Sequence, residues 1–120
     1  MRFSLFASIV GVVIVSAGCH NVFNLAKGET ETIRESALTM PEENIFNVAE
    51  DSMPLVKCWS SSFVRVRFGD DRAETYRLGS RAVFLLTPSA ENSDAKAVEV
   101  ERSLVHGGFF HTLNCNVTAM

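Results

Sequence analysis

Cysteine, histidine and serine are the residue types in this chain that could carry chemistry, and their spacing narrows what that chemistry could be. His106, His111 and Cys115 are possible zinc ligands, but they match no compact metal knuckle and no fourth ligand is evident. Ser60-Ser61-Ser62 lacks the Gly-x-Ser-x-Gly elbow that exposes a nucleophile on a strained turn. Gly107-Gly108 leads into a strand-like run, so it cannot present helix N-terminal amides to a phosphate. Neither paired carboxylates nor a Cys/His signature occurs. The expectation is therefore no catalytic residues, no metal, no cofactor and no small-molecule substrate.

The N-terminus points elsewhere. Arg2 and the free amine form a short positive region, followed by an uncharged stretch from Phe3 to Gly18. The apolar run to Val15 has the length of a signal-peptide core and falls short of the about 20 residues that span a bilayer. Small residues then lead to a cysteine as Val15-Ser16-Ala17-Gly18-Cys19. This resembles the lipobox of bacterial lipoproteins, with Ser16 where that family usually carries a large aliphatic residue. The resemblance covers the first 19 residues. It implies that the Cys19 thiol receives diacylglycerol and that cleavage then frees Cys19 as the acylated N-terminus, with palmitate among its chains. His20 rather than Asp follows the cysteine, which in that family implies the periplasmic face of the outer membrane. Val15-x-Ala17 also suits an ordinary signal peptidase, which would release a soluble protein.

If Cys19 carries lipid, Cys58 and Cys115 remain, and the cysteine count closes as one disulfide. An exported domain this small gains from such a staple. The alternative is a pair of buried thiols. Trp59, beside Cys58, is expected in the core.

The elements that would position these residues follow from hydrophobic periodicity. Residues 19–29 read as a lipid-anchored tether after the signal peptide at 1–18. Thr32-x-x-Glu35 fits a capping box, and Pro41 suits a first helical position ahead of Ile45, Val48 and Ala49. Residues 30–53 are therefore expected to be an acidic helical segment. From 54 to 120 the period shifts to two: Phe63-Val-Arg-Val-Arg-Phe68 and Val98-Glu-Val-Glu101 alternate, and Phe109, His111, Leu113, Cys115 and Val117 share one face. Ala82 to Leu86 is continuously apolar, as a central strand covered on both faces would be. The expected fold class is α+β: a small antiparallel sheet of five or six strands preceded by short N-terminal helices.

The net charge of -3 excludes a generally basic nucleic-acid binder. Its distribution is uneven. From 29 to 51 seven acids face the single base Arg34, whereas from 57 to 81 six bases face three acids. If Val64, Val66 and Phe68 point inward, Arg65 and Arg67 point outward. A three-residue turn at Gly69-Asp70-Asp71 would pair Val64 with Tyr76, Val66 with Glu74 and Arg65 with Thr75, bringing Arg77 to the same outer face. A two-residue turn would set Arg67 opposite Glu74 instead. The first register gathers more apolar residues on one face. Arg65, Arg67 and Arg77 are thus the candidate partner-binding stripe, with a solvated strand face as the bland alternative.

The expected function is that of a lipid-anchored binding or accessory subunit of an envelope assembly, such as a secretion, pilus or conjugation apparatus. Its partners would be the membrane, through lipid on Cys19, and an envelope protein. An inhibitor or exclusion protein blocking an enzyme or receptor at the cell surface is the alternative.

Overall fold

The computed structural model describes residues 20–36, 38, 40–59, 61, 63–77, 83–103 and 112–120. The signal-peptide stretch, Cys19, Ser60, Ser62, Leu78, Arg81, His106, Gly107-Gly108, Phe109 and His111 lie outside the described residues. Within them, strands dominate: β1 (His20–Leu25), β2 (Thr30–Glu35), β3 (Glu43–Val48), β4 (Pro54–Trp59), β5 (Phe63–Phe68), β6 (Glu74–Arg77), β7 (Val83–Leu86), β8 (Ala97–Arg102) and β9 (Leu113–Ala119). One 3-10 turn at Ala90–Asn92 interrupts them.

The strands form two sheets. The first has the order β1-β3-β8-β5-β6 and the second β2-β9-β4-β7. β1 and β3 pair in parallel because the intervening β2 belongs to the other sheet. Each sheet turns alternate residues inward. Phe46, Val48, Val64, Val66, Val98 and Val100 from the first sheet meet Ile33, Val56, Cys58, Leu113, Cys115 and Val117 from the second in a single buried core. Phe23 stacks on Phe46, ring centroids 4.8 Å apart, where β1 covers β3.

The fold is nearly all β, a sandwich, which overturns the α+β expectation. The capping-box residues Thr32 and Glu35 lie in β2, and the stretch after Pro41 is β3. The physical reason is period. β3 buries Asn44, Phe46 and Val48 in strict alternation, a pattern that the helical grouping of Ile45 with Val48 and Ala49 conceals. β2 is an edge strand that buries only Ile33 among its apolar residues, so its sequence carries little alternation to read. His20–Leu25, within the stretch read as a tether, is β1. Six described strands, β4 to β9, lie in 54–120, where five or six were expected, but they are divided between two sheets rather than forming one.

The β5–β6 hairpin takes the first of the two registers weighed above: Val64 opposite Tyr76, Arg65 opposite Thr75 and Val66 opposite Glu74. Gly69 opens its turn at φ 56, in the left-handed region that favours glycine. A side chain there would also crowd the Asn92 amide, 3.1 Å from where a Cβ would stand.

Candidate functional site

Cys58 and Cys115 are disulfide-bonded, with their Cα atoms 4.0 Å apart. They sit directly opposite one another in the neighbouring strands β4 and β9, and both are fully buried. The bond therefore clamps the middle of the second sheet to itself.

The basic stripe is present but compensated. Arg65 and Arg67 point outward from β5, and β8 lies alongside with Glu101 opposite Arg65 and Glu99 opposite Arg67. Arg65 is bonded to Glu101, and Arg67 Nη2 reaches Glu99 Oε1 at 2.7 Å. Arg77 stands across from Phe63 at the edge of the sheet, its guanidinium 6.0 Å from that ring's centroid. The alternation Val98-Glu-Val-Glu101 was legible in the sequence. Which strand it would neighbour was not. With two of its three charges answered from β8, the stripe offers an acidic partner far less than three free arginines would. The acidic segment itself supplies strands β2 and β3 of the sandwich.

β7 offers more. Ala82–Leu86 was expected to be a central strand, but among the described residues Val83–Leu86 forms the edge of the second sheet and pairs with β4. Phe84 and Leu86 turn inward against the core. Val83 and Leu85 turn outward, 55% and 61% exposed. Trp59 opposes Val83, and Lys57 opposes Leu85. Trp59 thus lies on the outer face rather than in the core, because its neighbour Cys58 takes the inward position and alternation sends Trp59 out. Trp59, Val83, Leu85 and half-buried Leu55 form an apolar strip around Lys57. The rest of this outer face is polar, with Asn114, Asn116 and Thr118 from β9 and Thr32 and Arg34 from β2.

Sequence reasoning missed this site because an uncharged run such as Val83-Phe84-Leu85-Leu86 reads equally well as a strand buried on both faces. The neighbouring Trp59-x-Lys57 alternation, outward from an inward cysteine, was the signal that could have found it. Compared with known protein families and with curated proteins, the chain matches none.

Beside β7, the flank of the sandwich opens into a cleft of ≈ 360 Å³. Val66, Phe68, Tyr76 and Thr87 line it, and Asp71, Arg72, Glu74, Ser89 and Glu91 also contribute. Tyr76 packs on Phe84 at 5.5 Å, and burial, with the nearby Glu74 charge, pushes its phenol above the ordinary range. Among the described residues, no group of three or more His, Cys, Asp or Glu is placed to hold a metal ion.

A second polar cluster closes the opposite end of the core. Arg102 reaches from β8 toward Glu35 on β2, Nε to Oε1 3.6 Å, and donates to the Ser36 carbonyl. Asn44 donates to Glu35 at 3.2 Å and to the Val100 carbonyl at 3.1 Å. Burial pushes the Glu35 carboxyl above its ordinary value, against the lowering influence of the Asn44 hydrogen bond and the Arg102 charge. This pair joins the two sheets from inside and faces the core, so its role is structural.

Proposed function

We propose that this chain is a lipid-anchored envelope protein that acts by binding, and that it captures an extended segment of a protein partner along β7. The observation that carries the reading is the edge itself: a four-residue, uncharged strand with Val83 and Leu85 exposed. Exposed apolar edge strands invite pairing with another chain, and natural proteins ordinarily blunt them with charge or proline. Here the edge carries neither. An added strand would gain main-chain hydrogen bonds from β7. Its alternate side chains would lie over Trp59 and Leu85 on one face and toward the Tyr76 cleft on the other.

The disulfide supports the same reading. Cys58 is in register with Phe84, so the docking strand is hydrogen-bonded to a strand held by a covalent clamp. A rigid edge loses little entropy on binding. The membrane address rests on the lipobox resemblance, with acylated Cys19 at the periplasmic face of the outer membrane, and this chain would serve there as an accessory subunit of an envelope assembly.

The test is capture from crosslinked envelopes. Wild-type protein should recover a stoichiometric protein partner, and Leu85→Lys should lose it while keeping the disulfide. Equal recovery by both would remove β7 from the function.

A further inference from the structure

The chain entering β1 leaves no room for a spacer. Cys19 immediately precedes His20, the first residue of β1. β1 runs parallel to β3 with His20 opposite Glu43, so its start lies beside the connection that leads from β2 into β3. Asn21 ties that connection down by donating to the Glu42 carboxylate and, at 2.9 Å, to Asn44 Oδ1. From the same connection Leu38 and Met40 project, 87% and 65% exposed. Leu38 stands on a local turn whose backbone amide donates to Ser36 Oγ at 3.1 Å. Two large apolar side chains thus stand at the end of the sandwich where the chain arrives from Cys19.

We propose that this end of the sandwich rests on the bilayer surface, with Leu38 and Met40 seated among the headgroups and upper acyl chains of zwitterionic phospholipid. The proposal rests on the reading of Cys19 as the acylated residue. Consecutive Cα atoms are about 3.8 Å apart, so acyl chains buried from Cys19 hold His20 at headgroup depth. Whatever projects from that end meets lipid before it meets any soluble partner. Leucine and the pliable methionine are suited to an uneven interfacial layer. Glu42 and Glu43 at the same end repel anionic headgroups, which is why the surface is assigned as zwitterionic. The orientation also stands the sheets upright and leaves β7 facing sideways, open to a partner in the periplasm.

A single-tryptophan experiment on the full lipidated chain in phosphatidylcholine/phosphatidylethanolamine vesicles tests this. The native tryptophan is removed by Trp59→Phe, and a reporter is placed by Leu38→Trp, by Met40→Trp or, as the distal control, by Asp71→Trp. Asp71 follows β5 at the opposite end, about one six-residue strand or 20 Å away. The Leu38→Trp and Met40→Trp reporters should show blue-shifted emission and loss of intensity with shallow brominated lipids, and the Asp71→Trp reporter neither. If mass spectrometry confirms acylated Cys19 and all three reporters read as aqueous, the surface contact is wrong while the anchor stands. If Cys19 carries no lipid, the anchor reading fails and this proposal falls with it. Insertion that occurs only when phosphatidylglycerol is added would overturn the assignment to zwitterionic lipid.

Discussion

Cys58 and Cys115 face each other across β4 and β9, and Cys58 is at the same time in register with Phe84 of β7, so one covalent bond underlies the strand that supports the β7 edge. The bond closes a sequence separation of 57 residues. For a loop of that length the chain-entropy estimate is about 4 kcal/mol. The double substitution Cys58→Ala with Cys115→Ala should lower unfolding stability in urea by about that amount. Two free thiols on oxidised, denatured and alkylated protein would contradict the bond, and an unchanged urea midpoint would contradict its contribution.

The outward ion pairs should count for little. Arg65 with Glu101 and Arg67 with Glu99 are cross-strand neighbours on an exposed face. Double-mutant cycles on each pair should give coupling of about 0–1 kcal/mol that fades with added salt. Reversal by Arg65→Glu should destabilise slightly by setting like charges opposite each other, and Glu101→Arg should restore the loss. A salt-insensitive coupling well above this range would mean that the pairs are far better shielded from water than their exposure suggests.

The buried pair behaves differently. Burial raises the Glu35 carboxyl above its ordinary value of 4.5. The folded protein therefore holds the Glu35 proton more readily than the unfolded chain does. This group's contribution to stability is most favourable below the unfolded value and declines as pH rises through the folded one. Arg102→Met removes an influence that lowers the Glu35 value, so it should move that window upward. At neutral pH the variant should lose about 3–5 kcal/mol, the usual result of leaving one buried charge uncompensated. Acidification should restore much of the loss. Urea unfolding followed across pH decides it, and a variant whose deficit is constant with pH would contradict the account of Glu35.

How much of this was legible in the sequence depended on how cleanly each strand alternates. Val64 to Phe68 places apolar and charged residues in strict turn, so its inward face could be read directly, and the apolar count favoured the observed pairing with Tyr76 and Thr75 over the alternative register. The cysteine pair was legible by count. The N-terminal strands were not, because Thr32-x-x-Glu35 and Pro41 match local helix signals while the decisive partners, Cys115 for Ile33 and Val98 for Phe46, lie far along the chain. Long-range pairing overrode local propensity. The arginine stripe was legible as a face, but not its neutralisation, since sequence does not reveal that β8 lies beside β5. The β7 edge was hidden for the same reason: strand order, which no local pattern encodes, decides whether Val83 and Leu85 are covered.

Anchoring has its own test. Metabolic labelling with a clickable fatty acid should mark the wild-type chain, and Cys19→Ser should abolish the label and leave unprocessed or soluble protein. An unlabelled wild type would contradict the lipid anchor while leaving the β7 surface open to study in the released domain.

The most direct test of binding along β7 is site-specific photocrosslinking in intact cells from Leu85, with Arg34 on the far edge strand β2 as the control. The expected result is a discrete adduct of one partner protein from Leu85, with none from Arg34. Identical patterns from both positions, or no protein adduct from Leu85 in properly localised and oxidised protein, would contradict a docking edge at β7.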